Sequence, residues 1–358
     1  MVFSSIASRE SLISIEKVAA IVNAPQASLS LGVKKAVGRA AHEIEEARKR
    51  HRSVMLAFGA HTIKNGLSPV LMKLIEDGWI THLATNGAGV IHDWEFAYQG
   101  KSSEDVRRYL AEGRFGAWEE TGFLLNLAIC AGAYRGFGYG ESVGAMVCDG
   151  GIEIPTNEEL HAAVGRYTSG DFAKPAAALD LLEKVEEFGL DAGFLRVDHP
   201  FSRFGLQSAA HRLGVPYTAH PMFGHDIIYS HPMCHGAAIG RTAERDFLRF
   251  VAGVSNIEHG VYLSVGSAVM SPMVFEKSLS MARNLAMQRG AKIEDFSIFV
   301  VDLEEPDWDW MSGGEPPPDH PAYYKRYMKT FHRTGTRMEY ISVDNRGFLT
   351  ALYRRLST

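Results

Sequence analysis

The sequence predicts an α/β fold, doubly wound around a mostly parallel sheet, on three observations. The first is the segment Ser53 to Thr85, where the apolar run SVMLAF is followed by a Gly-containing turn, the helix-like NGLSPVLMKLIEDG closed by Gly78, and a second run ITHLAT. Strand, helix and strand in such close succession make a βαβ unit, whose strands are parallel and whose crossover is right-handed. The second is that the alternation returns later. Helix-like segments span Lys174 to Gly189 and Ser202 to Gly214, and VPYTAH is strand-like. TAERDFLRFVAG reads as a helix, Gly260 to Val265 as a strand, AVMSPMVFEKSLSMARNLAMQRG as a long helix, FSIFVVDL and RMEYISV as strands, with a closing helix after them. The third is the glycine content, 35 residues, as expected where many tight turns join strands to helices.

Residues 1–50 hold no convincing strand and read as an N-terminal helical arm, its helix at Leu31 to Arg52 ending in the polar run EIEEARKRHR. Residues 51–358 read as a single domain. Within it Glu304 to Pro321, EEPDWDWMSGGEPPPDHP, is too rich in Pro, Gly and acids to be regular and is expected as a loop near a strand end.

The 358 residues carry 37 Lys and Arg against 42 Asp and Glu, a formal charge of −5, so no basic excess is available for a phosphate backbone and nucleic acid is excluded as the main partner. Three cysteines, Cys130, Cys148 and Cys234, do not describe a disulfide framework. Arg9 and Glu10 interrupt what a signal peptide would need as an apolar core, and the most apolar stretch, Phe123 to Tyr134, is far shorter than the roughly 20 residues of a membrane span. The expectation is a cytoplasmic protein without a membrane segment.

In parallel α/β sheets the site lies at the carboxyl ends of the strands, and those places are polar here. After the first run comes Gly59, His61, Thr62, Asn65 and Gly66, a loop whose N–H groups open a helix and suit an anion. After the second come Asn86, Gly87, Gly89, His92 and Asp93: the glycines permit close backbone approach or merely serve turns, and His92 and Asp93 suit acid/base work. Ser264 to Pro272, with Gly266, Ser267 and Ser271, enters the long helix in the same way. The motif G-x-G-x-x-G after the first strand is absent, as are Walker A spacing and H-E-x-x-H. Gly140 to Gly144 matches G-x-S-x-G outside a strand-turn-helix context and reads as a plain turn. His220, His225, Asp226, His231, Cys234 and His235 are a ligand set for a borderline metal, but their spacing matches no recognised zinc pattern; polar substrate binding is preferred and no metal ligand is assigned. Trp308, Trp310, Tyr323, Tyr324 and Tyr327 interleave with Lys325 and Lys329, either as a wall that desolvates a lysine or as an ordinary docked helix.

These strand-end loops, over residues 53 to 357, resemble the deoxyhypusine synthase family. The resemblance implies a Rossmann-like, NAD-binding fold that transfers an aminobutyl group from spermidine to a protein lysine. LAFGAHTIKNGLSPVLMKLIEDGWITHLATNGAGVIHD is similar to the family's first βαβ unit, with Ile91 and His92 standing where that family carries its polyamine-binding acidic pair. VPYTAHPMFGHDIIYSHP places Asp226 on the last acidic position of a family stretch. GVYLSVGSAVMSP puts Ser271 and Pro272 where the catalytic histidine belongs, and Tyr327-Met-Lys329 is the counterpart of the catalytic lysine's W-G-K. Asp344, with Asn345 beside it, falls on the aspartate of the closing strand.

The resemblance therefore implies NAD along Gly59, Thr62, Asn65, Asn86, Gly87, Gly89, Gly266, Ser267 and Asp344, with Lys329, His92, Asp93 and Asp226 as catalytic candidates. His225, His231 and Ser271 would bind substrate. With its acidic groups replaced, the site loses charge complementarity to spermidine, and a different small polar substrate, an amine or amino-acid-like molecule, is expected. Family members are homotetramers, which implies a homo-oligomer with the N-terminal arm as a candidate contact. The alternatives are a metal-dependent enzyme built on His220 to His235 and a nucleotide-binding module without turnover.

Overall fold

Six of the apolar runs come together in one sheet. The computed structural model describes residues 1–22, 29–170, 172–310 and 312–358; residues 23–28 of the expected arm and Met311 of the expected loop lie outside them. The strands are β1 (Ser11–Ser14), β2 (Val54–Phe58), β3 (His82–Thr85), β4 (Lys101–Glu104), β5 (Gly151–Ile154), β6 (Gly193–Arg196), β7 (Tyr217–Ala219), β8 (Val261–Val265), β9 (Ser297–Asp302) and β10 (Arg337–Ser342). The central sheet has the order β10-β9-β8-β2-β3-β7, and every pairing in it is parallel. Leu56 of β2 lies in register with Leu83 on one side and Leu263 on the other. Counted along the chain, the six strands run 6-5-4-1-2-3 across the sheet, so the order reverses between β2 and β8. That is the doubly wound, Rossmann-like arrangement the sequence predicts.

Both faces are covered, which is why these strands read as continuous apolar runs. On one face Met55, Ala57, Tyr262, Ile298, Val300 and Met338 join Phe250 and Val254 of the helix Gly236–Ser255, Phe275 and Leu279 of Met270–Gln288, and Met328 and Phe331 of Arg326–His332. On the other face pack the helices Leu31–Lys49, Ser68–Glu76 and Asn345–Leu356. Their starts are written locally: Ser30 accepts from the Val33 N–H, Pro69 fills the first turn, and Asp344 accepts from the Gly347 N–H.

The single domain expected after residue 50 is divided in the structure. One compact unit comprises Met1–Val18, Val90–Gly214 and Pro221–Asp246; the other, Ala19–Gly89, Val215–His220 and Phe247–Thr358, contains the whole parallel sheet. The chain leaves the sheet after β3 and again after β7, and both excursions bury side chains of their own. In the first unit β1 pairs antiparallel with β4 and β5 with β6, so the expected all-helical arm contributes a strand, one whose hydrogen bonds come from a partner ninety residues away in sequence. The helix Tyr139–Asp149 contains Gly140 to Gly144, correcting the reading of a turn there; a Cβ on Gly144 would press on the Gln207 carbonyl of the helix Leu206–Leu213.

The loop after β9 is tied down at several points. Lys325 pairs with Glu304 and Asp307 at 2.7 and 2.8 Å, the Trp308 indole donates to the Gly314 carbonyl, and Trp310 is buried in the sheet's core.

His82 is buried against the sheet and His220 half-buried near it. His82 Nε2 lies 3.0 Å from Thr218 Oγ1, which lies 3.3 Å from His220 Nε2, and both rings meet Phe250 edge to face. Burial pushes His82 down to about 3 and His220 down to about 4. The unfolded chain, with histidines near 6.5, then binds protons that the fold refuses, so stability is complete above that pH and falls as pH drops toward 4. Each histidine is expected to contribute a slope of about 1.4 kcal/mol per pH unit in that window. Urea unfolding at successive pH values should show the decline, and His82→Gln should flatten it; an unchanged slope in the variant would remove His82 as its source.

Candidate functional site

The strand-order reversal sets the site. At the carboxyl end of β2 the chain turns through Gly59 into the short helix Ala60–Lys64, and at the carboxyl end of β8 it turns through Gly266 and Ser267 toward Met270–Gln288. The Gly59 N–H donates to the Val265 carbonyl at 3.2 Å, and the Gly266 N–H to Val301 at 2.9 Å. A Cβ on Gly59 would overlap the Gly266 carbonyl oxygen, which is backbone and has nowhere to go. Gly266 itself has φ of 57°, is exposed, and has open space where a side chain would be. Ser267 accepts from the Ser271 N–H at 3.2 Å. The outcome is bare main chain at a topological switch point, the place where open α/β sheets take ligands.

The other residues read as cofactor contacts all belong to the sheet-containing unit, with duties of their own. Asn86 Oδ1 accepts from the Gly89 N–H at 2.9 Å and so caps the helix Gly87–Gln99. Gly89 is required by packing, since a Cβ there would overlap the Thr85 hydroxyl, itself donating to the Phe58 carbonyl at 2.9 Å. Thr62 is buried, and its hydroxyl accepts from Asn345 Nδ2 at 3.2 Å, while Asn65 Nδ2 donates to Asn345 Oδ1 at 2.9 Å. Asp344 is the cap of the last helix. Thr62, Asn65 and Asn345 thus form one network that joins the end of β2 to the end of β10.

Several substrate-side candidates have structural contacts of their own. Ser271 is fully buried with its hydroxyl 2.9 Å from that of Tyr262, so it is a packing group of the helix start and no replacement for a catalytic histidine. Lys329 sits with its ammonium 3.4 Å from the centre of the Tyr323 ring, beside a cavity of about 670 Å³ that it shares with Ser280, Asn284 and Met287 of the long helix. That position lies over the length of the helix rather than at its start beside Gly266.

Asp93 is 1% exposed and accepts from the backbone N–H groups of Leu206 and Gln207, both at 2.9 Å. It caps a helix. His92 is better placed for proton chemistry: its Nδ1 lies 2.7 Å from Ser102 Oγ, which donates to Glu95 Oε2 at 2.5 Å, and Arg9 grips Glu95 through two bonds of 2.7 and 2.8 Å. The serine has one proton and gives it to the carboxylate, so its oxygen accepts from the imidazole and fixes the proton on Nδ1. Arg9, Glu95 and Ser102 were not among the sequence candidates; the signal was the three-residue spacing from His92 to Glu95, one helical turn.

In the segment after β7, His225 is exposed. Tyr229 donates to Asp226 at 2.8 Å, and burial raises the Asp226 carboxyl above its usual range against that bond. His231 is enclosed by Phe3, Phe123 and Phe188, accepts from the Met233 N–H at 3.0 Å, lies 3.5 Å from Glu119 through Nε2, and is lowered by burial. Among the described residues no three His, Cys, Asp or Glu side chains converge as metal ligands, which leaves the metal-enzyme alternative without a cluster. Nor is any helix among them long and apolar enough to cross a membrane.

No protein-family model and no curated protein matches the chain. Similar solved structures include ArgZ, an arginine dihydrolase from the ornithine-ammonia cycle in cyanobacteria, at 14% identity and TM-score 0.44 over 92% of this chain and 33% of ArgZ. Unliganded AgrE is similar at 14% and 0.46 over 93% of this chain and 34% of its own, and an LOR/SDH protein from Methanococcus maripaludis S2 at 14% and 0.44 over 94% and 70%. The chain spans about a third of the length of ArgZ and AgrE. None of these three is named as a deoxyhypusine synthase, and likenesses this distant carry no activity to this chain.

Asp93→Asn keeps the shape but exchanges one acceptor oxygen for a donor facing an N–H. It is expected to lower the unfolding free energy by about 1–3 kcal/mol. Chemical denaturation measures this directly, and an unchanged midpoint would remove Asp93 as the cap.

Proposed function

We propose that the sheet-containing unit binds NAD across the switch point between β2 and β8. The observation that carries this is the exposed, side-chain-free backbone at Gly266, packed on the buried Gly59 where a strand order of 6-5-4-1-2-3 reverses. Gly266 is exposed, with open space in place of a side chain, so a ligand can approach the main chain there, while the Gly59 and Gly266 N–H groups themselves are held by Val265 and Val301. Gly59, Gly266 and Ser267 would hold the cofactor, with Asn86 and Gly87 at the next helix start and the Thr62, Asn65 and Asp344 region flanking them. NAD, when bound, supplies a hydride acceptor.

We further propose an enzyme acting on a small polar substrate, an amine or amino-acid-like molecule other than spermidine. His92 is the proton-handling candidate, because Ser102, Glu95 and Arg9 fix its tautomer. Asp226, His225 and Lys329 remain candidates by resemblance. Aminobutyl transfer is disfavoured: the position of the family's histidine is the buried Ser271, and those of its acidic pair are Ile91 and His92. The burial of Ser271 also favours a second reading, a nucleotide-binding module without turnover.

Calorimetric titration of NAD tests the site. Ser267→Asp retains an oxygen to cap Ser271 but places a negative charge beside the pyrophosphate. NAD binding is expected to weaken about tenfold or more in this variant, whose folding is checked separately by circular dichroism because Ser267 is only 8% exposed. No binding to the wild type would overturn the proposal. NADH formation in a screen of amines and amino acids separates the two readings, and in an active enzyme His92→Gln should cut kcat while leaving NAD affinity alone.

A further inference from the structure

The long helix Met270–Gln288 carries a row of water-facing side chains, with Met287, 67% exposed, lying off it. Phe275, Ser278, Leu279 and Ala282 face the sheet and are buried, whereas Met273 is 38% exposed, Met281 37% and Leu285 42%, with Val269 at 64% just before the helix. Met273, Lys277, Met281 and Leu285 are four residues apart and form a single ridge, the kind that packs into the groove of another helix. Beside it runs a second exposed ridge, Glu276, Ser280 and Asn284. Large apolar groups in a row on a water-facing helix mark an interaction surface rather than scattered exposure.

The row is symmetric in sequence about Lys277. Met273 lies four residues before it and Met281 four after; Val269 lies eight before and Leu285 eight after. A two-fold axis turns a surface onto itself, so a self-complementary patch must place each group opposite its counterpart across the axis. Two such helices crossing antiparallel beside Lys277 bring Met273 of one copy against Met281 of the other, at both ends of the contact.

The charges agree with this. Lys277 and Glu276 are neighbours, 63% and 45% exposed, 2.7 Å apart within the chain. With the ridge of one copy in the groove between the two ridges of the other, each Lys277 ammonium meets the opposite Glu276 carboxylate, so the two lysines nearest the axis are neutralised. A partner of unrelated sequence would have no reason to match a pattern that is symmetric about its own midpoint.

We infer that two copies of this chain pair through the helix Met270–Gln288 about a two-fold axis beside Lys277. Interdigitated ridges of this spacing cross at about 50°. Methionine suits such a contact because its unbranched side chain adapts to an opposing methionine at little cost.

Sedimentation at micromolar concentration tests the state, and cross-linking tests the axis. The wild type is expected to sediment as a dimer, and Met273→Glu with Met281→Glu, both at exposed positions, to raise the dissociation constant by about tenfold or more at unchanged melting temperature. In a Cys148→Ser background, which removes the exposed native thiol, Lys277→Cys is expected to form a disulfide-linked dimer under mild oxidation. A residue beside the axis meets itself; one elsewhere does not. A monomeric wild type would overturn the inference, as would a dimer that is insensitive to the double substitution and forms no Lys277→Cys cross-link.

Discussion

The close passage of Gly59 against the Gly266 carbonyl is the constraint on which the sheet-containing unit depends. β2 is the strand from which the sheet grows in both directions, toward β3 and β7 on one side and β8, β9 and β10 on the other. The crossover leaving its carboxyl end and the one leaving the neighbouring β8 depart in opposite directions without separating the two strands, and the Gly59 N–H bond to Val265 shows how little space remains. A side chain at 59 would force β2 and β8 apart where their hydrogen bonds end. The same lack of side chains exposes main chain at the crevice, so one steric requirement serves both the fold and the proposed cofactor contact.

The fold was legible where burial follows a local period. The runs at 54–58, 261–265 and 297–302 are apolar throughout because both faces of the sheet are covered, and each appears in the structure within a residue or two of its predicted bounds. The division into two units was not legible. It depends on which helices share a core, and the helices Glu119–Arg135 and Tyr139–Asp149 are buried along most of their length without a strong stripe that would announce a partner. The strand at Ser11–Ser14 was hidden for the same reason: the strand it pairs with, Lys101–Glu104, is distant in sequence.

The site was legible at the level of segments and not of roles. The loops after β2, β3 and β8 were identified from polarity at strand ends, yet whether a polar residue faces a ligand or pays for its own burial depends on contacts far away in sequence. Asp93 looks like a general base until its two oxygens are found on the N–H groups of Leu206 and Gln207. Gly89 looks like a phosphate contact until Thr85 is seen beneath it. The histidines show the same division: His82, His220 and His231 lie among aromatic rings and are pushed down by burial, whereas His92 is tied to a carboxylate through a serine.

That contrast bears on how such a protein can diverge. The proposed cofactor contacts are made by main chain and small residues that the sheet itself requires, so they persist as long as the fold does. Substrate contacts are side chains free to change. At the start of the long helix, Tyr262 reaches from β8 to the Ser271 hydroxyl and closes with a packing contact the position where the resembling family places its histidine. The Tyr262 hydroxyl also donates to the Ser271 carbonyl at 3.4 Å, so side chain and main chain together close this helix start beside Phe275 and Phe331. The packing at this helix start is thus a requirement of the fold, set by Tyr262 and Ser271 independently of any ligand the crevice takes.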